Sequence, residues 1–427
     1  MSRSLTPQDG YALMNELVRE ATGQKSATVV DMSTFISAGE TVLTTGYENV
    51  FNALGMVIGR LFVAVRPYTA KFNLINAIST DGYTSRLRKI SYYAKDALVS
   101  GYFNTNLFTN LADGFTNGQN VDGNGDAQST KSMWEQNQAM PLEMNFGGST
   151  TWQDCLTMYE EQIRAALRSP EELAEFVRGQ IVEHQNDIEA QKEAFNRMTV
   201  LGMIGQLYQY DVVLASTKGC AINLVSGFND RYGTNYTGDQ LRSTYLPEFL
   251  KYFTSTIKGC MDYMTERSAK YHLPMTKTVN GTSYNILRHT PKDRQRLMLF
   301  SPLFRDAEAQ VMPEIFRPEY LALDKQYEGV SYWQTNADTD KGRAAIDVKV
   351  PYYDSSDGTQ KSTGEIKIPY VVGVLYDEDK CLVDYQLERS LSTPVEARKG
   401  YRNTWLTFSK NAIVDPTENG ILFYMGS

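Results

Sequence analysis

The apolar and polar positions of this chain change their period several times, and each change marks an element. After Thr6 and Pro7, Leu13, Leu17 and Ala21 recur on one helical face as far as Gly23. Proline suits the first helical position because its missing N–H would be unpaired there anyway. This short helix reads as a docking arm rather than a core element. Residues 33–64 carry two further helical patterns, broken near Gly46. From Leu87 to Tyr93 the period falls to two, which predicts a strand. A polar, glycine-rich stretch runs from Asn110 to Lys131, and Met133 to Phe146 returns as a second extended limb. Two limbs around such a tip predict a long β-hairpin arm, since the tip has few apolar side chains to offset its ordering entropy. Trp152 is expected to open the next helical segment.

The clearest local signal is Ser169-Pro170-Glu171-Glu172. Ser169 is an N-cap, Pro170 sits at the first helical position, and Glu172 completes a capping box. Both glutamates suit the positive end of the helix dipole. Ala174, Ile181, Ile188 and Phe195 then recur at heptad spacing, with Leu173, Phe176, Val177 and Met198 widening the stripe. No proline interrupts the run to about Tyr208, and Gly202 and Gly205 are expected to bend or fray its end. Thr237 to Gln240 starts another helix by the same capping logic, continued from Pro247 through Phe249, Leu250, Phe253, Ile257 and Met261. Leu297 to Phe300 reads as an apolar strand, followed by a helix from about Ser301 to Val311. A hairpin is expected around Ser356 to Gly358. At the end, a buried run (Val371 to Leu375) meets an acidic turn (Asp377, Glu378, Asp379), and a short strand ends near Asp384. A polar stretch, an aromatic strand (Tyr401 to Phe408) and a final apolar strand (Ile421 to Met425) complete the order.

A chain of 427 residues with 42% apolar composition can bury a large core in one domain or a few subdomains. The 27 tyrosines suit extensive interfaces, and equally ordinary cores. A net charge of −8 argues against a dedicated nucleic-acid binder, yet suits a wall that does not stick to DNA held inside it. Cys155, Cys220, Cys260 and Cys381 form no CxxC pair and read as reduced, small hydrophobes. No apolar run is long enough for a signal peptide or a membrane span. His184, His272 and His289 stand at no metal-binding spacing. Asp122, Asn124 and Asp126 open like a calcium loop, but Ala127 and Met133 occupy the positions that need glycine and glutamate. Asp338 and Asp340 lie in a polar surface stretch, and no nucleophile elbow or phosphate-binding glycine motif is present. The expectation is therefore no catalytic, metal or cofactor site, and no enzyme.

The order of elements resembles tailed-phage major capsid proteins of the Hong Kong 97 fold, most specifically from Val371 to Tyr424. Ser85 to Ala97 (SRLRKISYYAKDA) and Met140 to Gly148 (MPLEMNFGG) are similar to segments of gut-phage capsid proteins. The resemblance implies an α+β fold in five parts: an N-terminal arm (1–65), an extended loop with flanking strands (66–150), a peripheral domain with a spine helix (151–215), an axial domain (216–368) and a C-terminal return into the peripheral domain (369–427). It implies a structural subunit that forms pentamers and hexamers of an icosahedral head around double-stranded DNA, with contacts to any sequence. Arg19, Lys25, Arg178, Lys192 and Arg197 are the candidates to face that DNA. Expected partners are copies of the chain, a portal and auxiliary or decoration proteins. Residues 1–65 hold no long charged helix of the kind a fused scaffold needs, so a separate scaffolding protein is also expected. Localisation would be the virion, after assembly in the host cytoplasm. Lysine–asparagine cross-links are known in this fold family, and Lys95 and Lys131 lie near the loop, but lysine is too common for this to predict a cross-link. Inter-subunit contact is expected from Ile90, Tyr92, Tyr93, Trp134, Met140, Leu142 and Phe146, and the spine helix from Ser169, Glu172, Ile181, Ile188 and Phe195. The rival readings are an encapsulin-like shell of the same fold and a virion ring such as a portal.

Overall fold

The structure is a computed structural model, and it describes residues 7–22, 29–44, 75–78, 86–94, 139–147, 150–216, 218–279, 282–308, 327–354, 358–396 and 398–426. Helices and strands alternate in a mixed α+β order. The chain begins with α1 (Pro7–Thr22), α2 (Met32–Thr44), β1 (Asn76–Ile78), β2 (Arg86–Tyr92), β3 (Pro141–Gly147) and β4 (Thr150–Tyr159). A short α3 (Glu160–Ala166) leads into the long α4 (Pro170–Tyr208). Next come β5 (Ala221–Asn223), α5 (Leu224–Tyr232), α6 (Gly238–Arg242), α7 (Leu246–Thr265), β6 (Lys277–Val279), β7 (Thr282–Tyr284), β8 (Gln295–Phe300) and α8 (Ser301–Glu308). The short elements β9 (Tyr327–Val330), α9 (Asp340–Ala344), β10 (Ile346–Val348), β11 (Pro351–Tyr353), β12 (Gln360–Ser362) and β13 (Ile366–Ile368) precede four closing strands. These are β14 (Val371–Asp377), β15 (Cys381–Ser392), β16 (Tyr401–Val414) and β17 (Gly420–Tyr424).

The long helix starts where its cap residues place it. The Ser169 hydroxyl accepts the Glu172 N–H at 3.1 Å, Pro170 occupies the first turn, and Glu171 and Glu172 stand at the positive end of the dipole. It buries Leu173, Ala174, Ile188 and Phe195. Met198 departs from the expected stripe and is exposed, because the following turns bury Val200, Met203, Ile204 and Leu207 instead. The helix runs through both glycines without fraying and ends in one π-turn, Gln209–Val213. At Gly205 a Cβ would come within 2.9 Å of a Val350 methyl, so this glycine lets another segment approach closely.

Two sheets organise the rest. One has the order β5-β17-β14-β8-β9, and the other β1-β15-β16-β4. In the first, all seven residues of β14 are buried, as expected of a central strand covered on both faces. Trp333 lies fully buried beside it and donates its indole N–H to the Val371 carbonyl at 3.0 Å. Phe249, Phe253, Phe300 and Phe423 extend the same core. Residues 369–427 feed both sheets: β14 and β17 pair within the first, and β15 and β16 within the second.

Four sequence expectations are corrected. Trp152 opens no helix: Thr150–Tyr159 is a strand paired in continuous register with Tyr401–Lys410 of β16. β15 runs past Asp384 to Ser392, and β16 past Phe408 to Val414, because the two pair along their length. The polar appearance of these stretches reflects solvent on one face, where Arg389 is exposed beside Leu391. Finally, α1 is a core element. Its Met14, Leu17 and Val18 join Phe35, Val42, Ile163, Leu167 and Leu173 in a second cluster, and a Cβ at Gly10 would overlap the Pro170 carbonyl.

Candidate assembly surface

Strands β2 and β3 form an antiparallel hairpin in which Ile90 lies opposite Glu143 and Ser91 opposite Leu142. Alternation divides its side chains between two faces. Leu87, Lys89, Ser91, Leu142, Met144 and Phe146 turn toward the body of the subunit, buried or half-buried. Arg88, Ile90, Tyr92, Glu143 and Asn145 turn outward and are exposed. Ile90 retains 48% of its surface and Tyr92 retains 59%, values that mark apolar area left uncovered among the described residues.

The inward face is held by charge. The Lys89 ammonium pairs with the carboxylates of Asp415 and Glu418, in the turn between β16 and β17. Arg288 donates to the Ser91 hydroxyl at 2.6 Å and stands 3.3 Å from Glu418. Below this cluster Lys380 is fully buried and donates to the carbonyls of Glu418 (2.6 Å) and Asp415 (3.2 Å), and burial draws its pKa below the usual lysine value. Tyr93 and Leu142 pack on Tyr210, Leu273, Met275 and Ile286. Beside them His272 is buried, its Nδ1 3.0 Å from Asn419 Oδ1 and its Nε2 3.0 Å from the Ile286 carbonyl. Burial holds its pKa below the ordinary 6.5.

The contact residues expected from sequence therefore fall on opposite faces. Ile90 and Tyr92 point out, Tyr93, Leu142 and Phe146 point in, and Met140 is half-buried. Trp134, the tip from Asn110 to Lys131, Lys25, Lys95 and the Asp122 loop lie outside the described residues, as do the side chains of Ile181 and Arg178. Arg197 cannot face DNA: its guanidinium is buried, pairs with Glu193 at 2.8 Å and stacks 3.7 Å from the centre of the Tyr332 ring. Lys192 pairs with Glu189, and Arg19 with Glu16. His184 stands 3.3 Å from Asp154.

A second uncovered surface was not expected. In the four-stranded sheet Leu391, Trp405 and Cys155 lie in one cross-strand row, and Leu391 and Trp405 are exposed. Tyr401 and Tyr159 continue that face, with ring centres 5.9 Å apart. Period-two alternation across three strands was the signal that could have revealed it, and taking Trp152 as a helix start obscured it. Among the described residues no group of three acidic, His or Cys side chains could hold a metal ion. No helix there is long and apolar enough to cross a membrane.

No protein-family model matches the chain, and no curated protein matches it by sequence. Among solved structures it is similar to a chain in the capsid structure of Staphylococcus phage Andhra, at 10% identity over 85% of this chain and 86% of that one, with a TM-score of 0.50. It is similar as well to a chain in the structure of the head fiber and inner core protein gp22 of native bacteriophage P68, at 9% identity over 84% and 85%, again with a TM-score of 0.50. At such identity the likeness is one of fold. The chain has a mixed helix-and-sheet fold found in phage capsid structures, and the resemblance to tailed-phage capsid proteins holds at that level.

Proposed function

We propose that this chain is a structural protein, the major capsid subunit of a tailed phage with the Hong Kong 97 fold, forming the pentamers and hexamers of an icosahedral head around double-stranded DNA. The observation behind this reading is the fold likeness to a capsid chain across about 85% of both chains. In this reading α4 is the spine helix, and the β2–β3 hairpin is the base of the extended loop. The four-stranded sheet belongs to the peripheral domain and the five-stranded sheet to the axial one, so β14 and β17 of the segment 369–427 sit with the axial sheet and only β15 and β16 return into the peripheral domain. The outward faces of the hairpin and of the four-stranded sheet are the surfaces that copies of the chain cover, since their exposed Ile90, Tyr92, Leu391 and Trp405 resemble the apolar centre of an interface. DNA would be met through phosphate alone, as a container for any sequence requires. A separate scaffolding protein, a portal and auxiliary head proteins complete the partners, and the virion is the location. No catalytic step is assigned to the chain.

The test is electron microscopy and sedimentation of the chain expressed with its scaffolding protein. Closed shells of uniform size are expected. A stable monomer at micromolar concentration would overturn the reading, and rings would point to a portal. Shells filled with a protein cargo instead of DNA would point to an encapsulin-like compartment.

A further inference from the structure

The β2–β3 hairpin stands apart from both large sheets. Among the described residues its two strands pair only with each other. A two-stranded ribbon is marginal by itself in water, so its angle on the subunit is set by what holds its inward face. Two seats do so. One is apolar: Tyr93 and Leu142 rest on the Tyr210 cluster, and beside them the Ala94 N–H donates to the Asn285 carbonyl at 3.0 Å. Apolar packing is non-directional, and by itself it fixes an angle poorly. The other seat is the charge contact of Lys89, whose receiving side owes little of its form to the hairpin.

That receiving side is the turn at residues 415–418. Asp415 Oδ1 accepts both the Thr417 N–H and the Thr417 hydroxyl at 2.8 Å, which holds the carboxylate with Oδ2 toward Lys89. Asp415 and Thr417 are both buried, so this orientation is locked by packing. The turn is also fixed from beneath. Lys380 gives its ammonium N–H groups to the Asp415 and Glu418 carbonyls, and its own carbonyl accepts the Asp415 N–H at 2.8 Å. Gly420 leaves room for this: a Cβ there would come within 2.7 Å of Lys380 Cε. Lys380 thus binds the turn through its carbonyls and leaves the two carboxylates for other cations. Arg288 takes part of Glu418 at 3.3 Å and donates to the Thr417 carbonyl at 3.2 Å. Lys89 is the one charged member of the cluster that belongs to the hairpin.

Charged hydrogen bonds are directional, and carboxylates this well covered grip a cation more firmly than surface pairs do. Successive residues of a strand point to opposite faces, so any shift of Lys89 is passed directly to Ile90 on the outward face. We propose that the 415–418 turn is a preformed socket for one ammonium group and that Lys89 plugs the hairpin into it. Lys89 is thereby the positioning residue that sets the angle at which Ile90 and Tyr92 meet a neighbouring copy of the chain. The last step rests on reading the outward hairpin face as an assembly surface.

Hydrogen exchange of the free subunit, read by mass spectrometry, tests the socket. In Lys89→Met the amides of β2 and β3 should exchange about tenfold faster, while those of β8 and β14 keep their wild-type protection. Lys89→Arg, which keeps a cation, should stay near wild type. Thr417→Val keeps the shape of a buried side chain and removes the hydroxyl that orients Asp415, so it should speed hairpin exchange about threefold through Asp415 alone. Unchanged hairpin exchange in Lys89→Met would overturn the socket and assign the hairpin's position to the apolar seat. Equal acceleration in the hairpin and in β14 would overturn it too, because Lys89 would then serve global stability. Wild-type exchange in Thr417→Val would show that the turn is not what aims Asp415. The yield of Lys89→Met shells by sedimentation should fall about tenfold, since a loosened hairpin must be ordered again on association. Normal yield with a loosened hairpin would overturn the link from angle to assembly. If the wild-type chain forms no shells, the shell reading fails, and the socket is still decided by exchange in the free subunit.

Discussion

The two sheets of this subunit treat their apolar residues differently. The five-stranded sheet buries its apolar residues within the subunit: its central strand β14 is buried throughout and shares one core with α7 and Trp333. The four-stranded sheet is covered on one face by α4 and the second core, and the hairpin on one face by the cluster around Tyr210 and Ile286; on their other faces they leave Ile90, Tyr92, Leu391 and Trp405 in solvent. A region that satisfies itself contributes to folding. A region that leaves contiguous apolar area uncovered stores association free energy for a partner.

That contrast can be broken experimentally. Trp333→Ala, in the closed region, should lower subunit stability by about 3–5 kcal/mol, since it opens a cavity and strands the Val371 carbonyl. Chemical denaturation measures the loss, and a change under 1 kcal/mol (roughly the scale of a surface substitution) would mean that the five-stranded core is not as closed as its burial indicates. Ile90→Ala with Tyr92→Ala, in the open region, should leave the subunit within about 0.5 kcal/mol of wild type, because neither side chain is covered within it. The same pair should weaken assembly by about 2–4 kcal/mol for each residue that sits at an interface centre. Particle yield by sedimentation reads this, and normal yield would show that the outward hairpin face is ordinary surface.

Ser169→Ala tests whether α4 is shared scaffolding for both regions. Losing the cap should cost about 1 kcal/mol, visible as a small fall in melting temperature with assembly retained. The smallest effect concerns pH at the junction. His272 stays neutral when folded because burial holds its pKa below 6.5. On acidification the unfolded chain takes up the proton first, so this contribution to stability is full above about pH 6.5 and is lost as pH falls through the lower folded value. Melting of the free subunit between pH 7.5 and 5 should show this decline, and His272→Gln should flatten it. An unchanged slope in the variant would assign the pH dependence to other groups.

Much of the closed region was legible in the sequence. The runs at Leu297 and Val371, the cap at Thr237 and the start of α4 at Ser169 each rest on neighbours within a few residues, so local pattern suffices to find them. The likeness to phage capsid folds was legible too, through the order of these elements. The open region was read less well. Read locally, Trp152 opens a helix and β15 ends near Asp384, but both stretches pair with β16 along their length, and pairing overrides local appearance. The candidate contact residues were named as one set, and only the hairpin register divided Ile90 and Tyr92 from Leu142 and Phe146. The burial of Arg197 against Glu193 and the charge clamp at Lys89 were likewise decided by the tertiary structure. Sequence determines which side chains alternate and where helices begin. Only long-range packing decides which face is covered, because burial depends on what the rest of the chain brings to that face and not on the residues that form it.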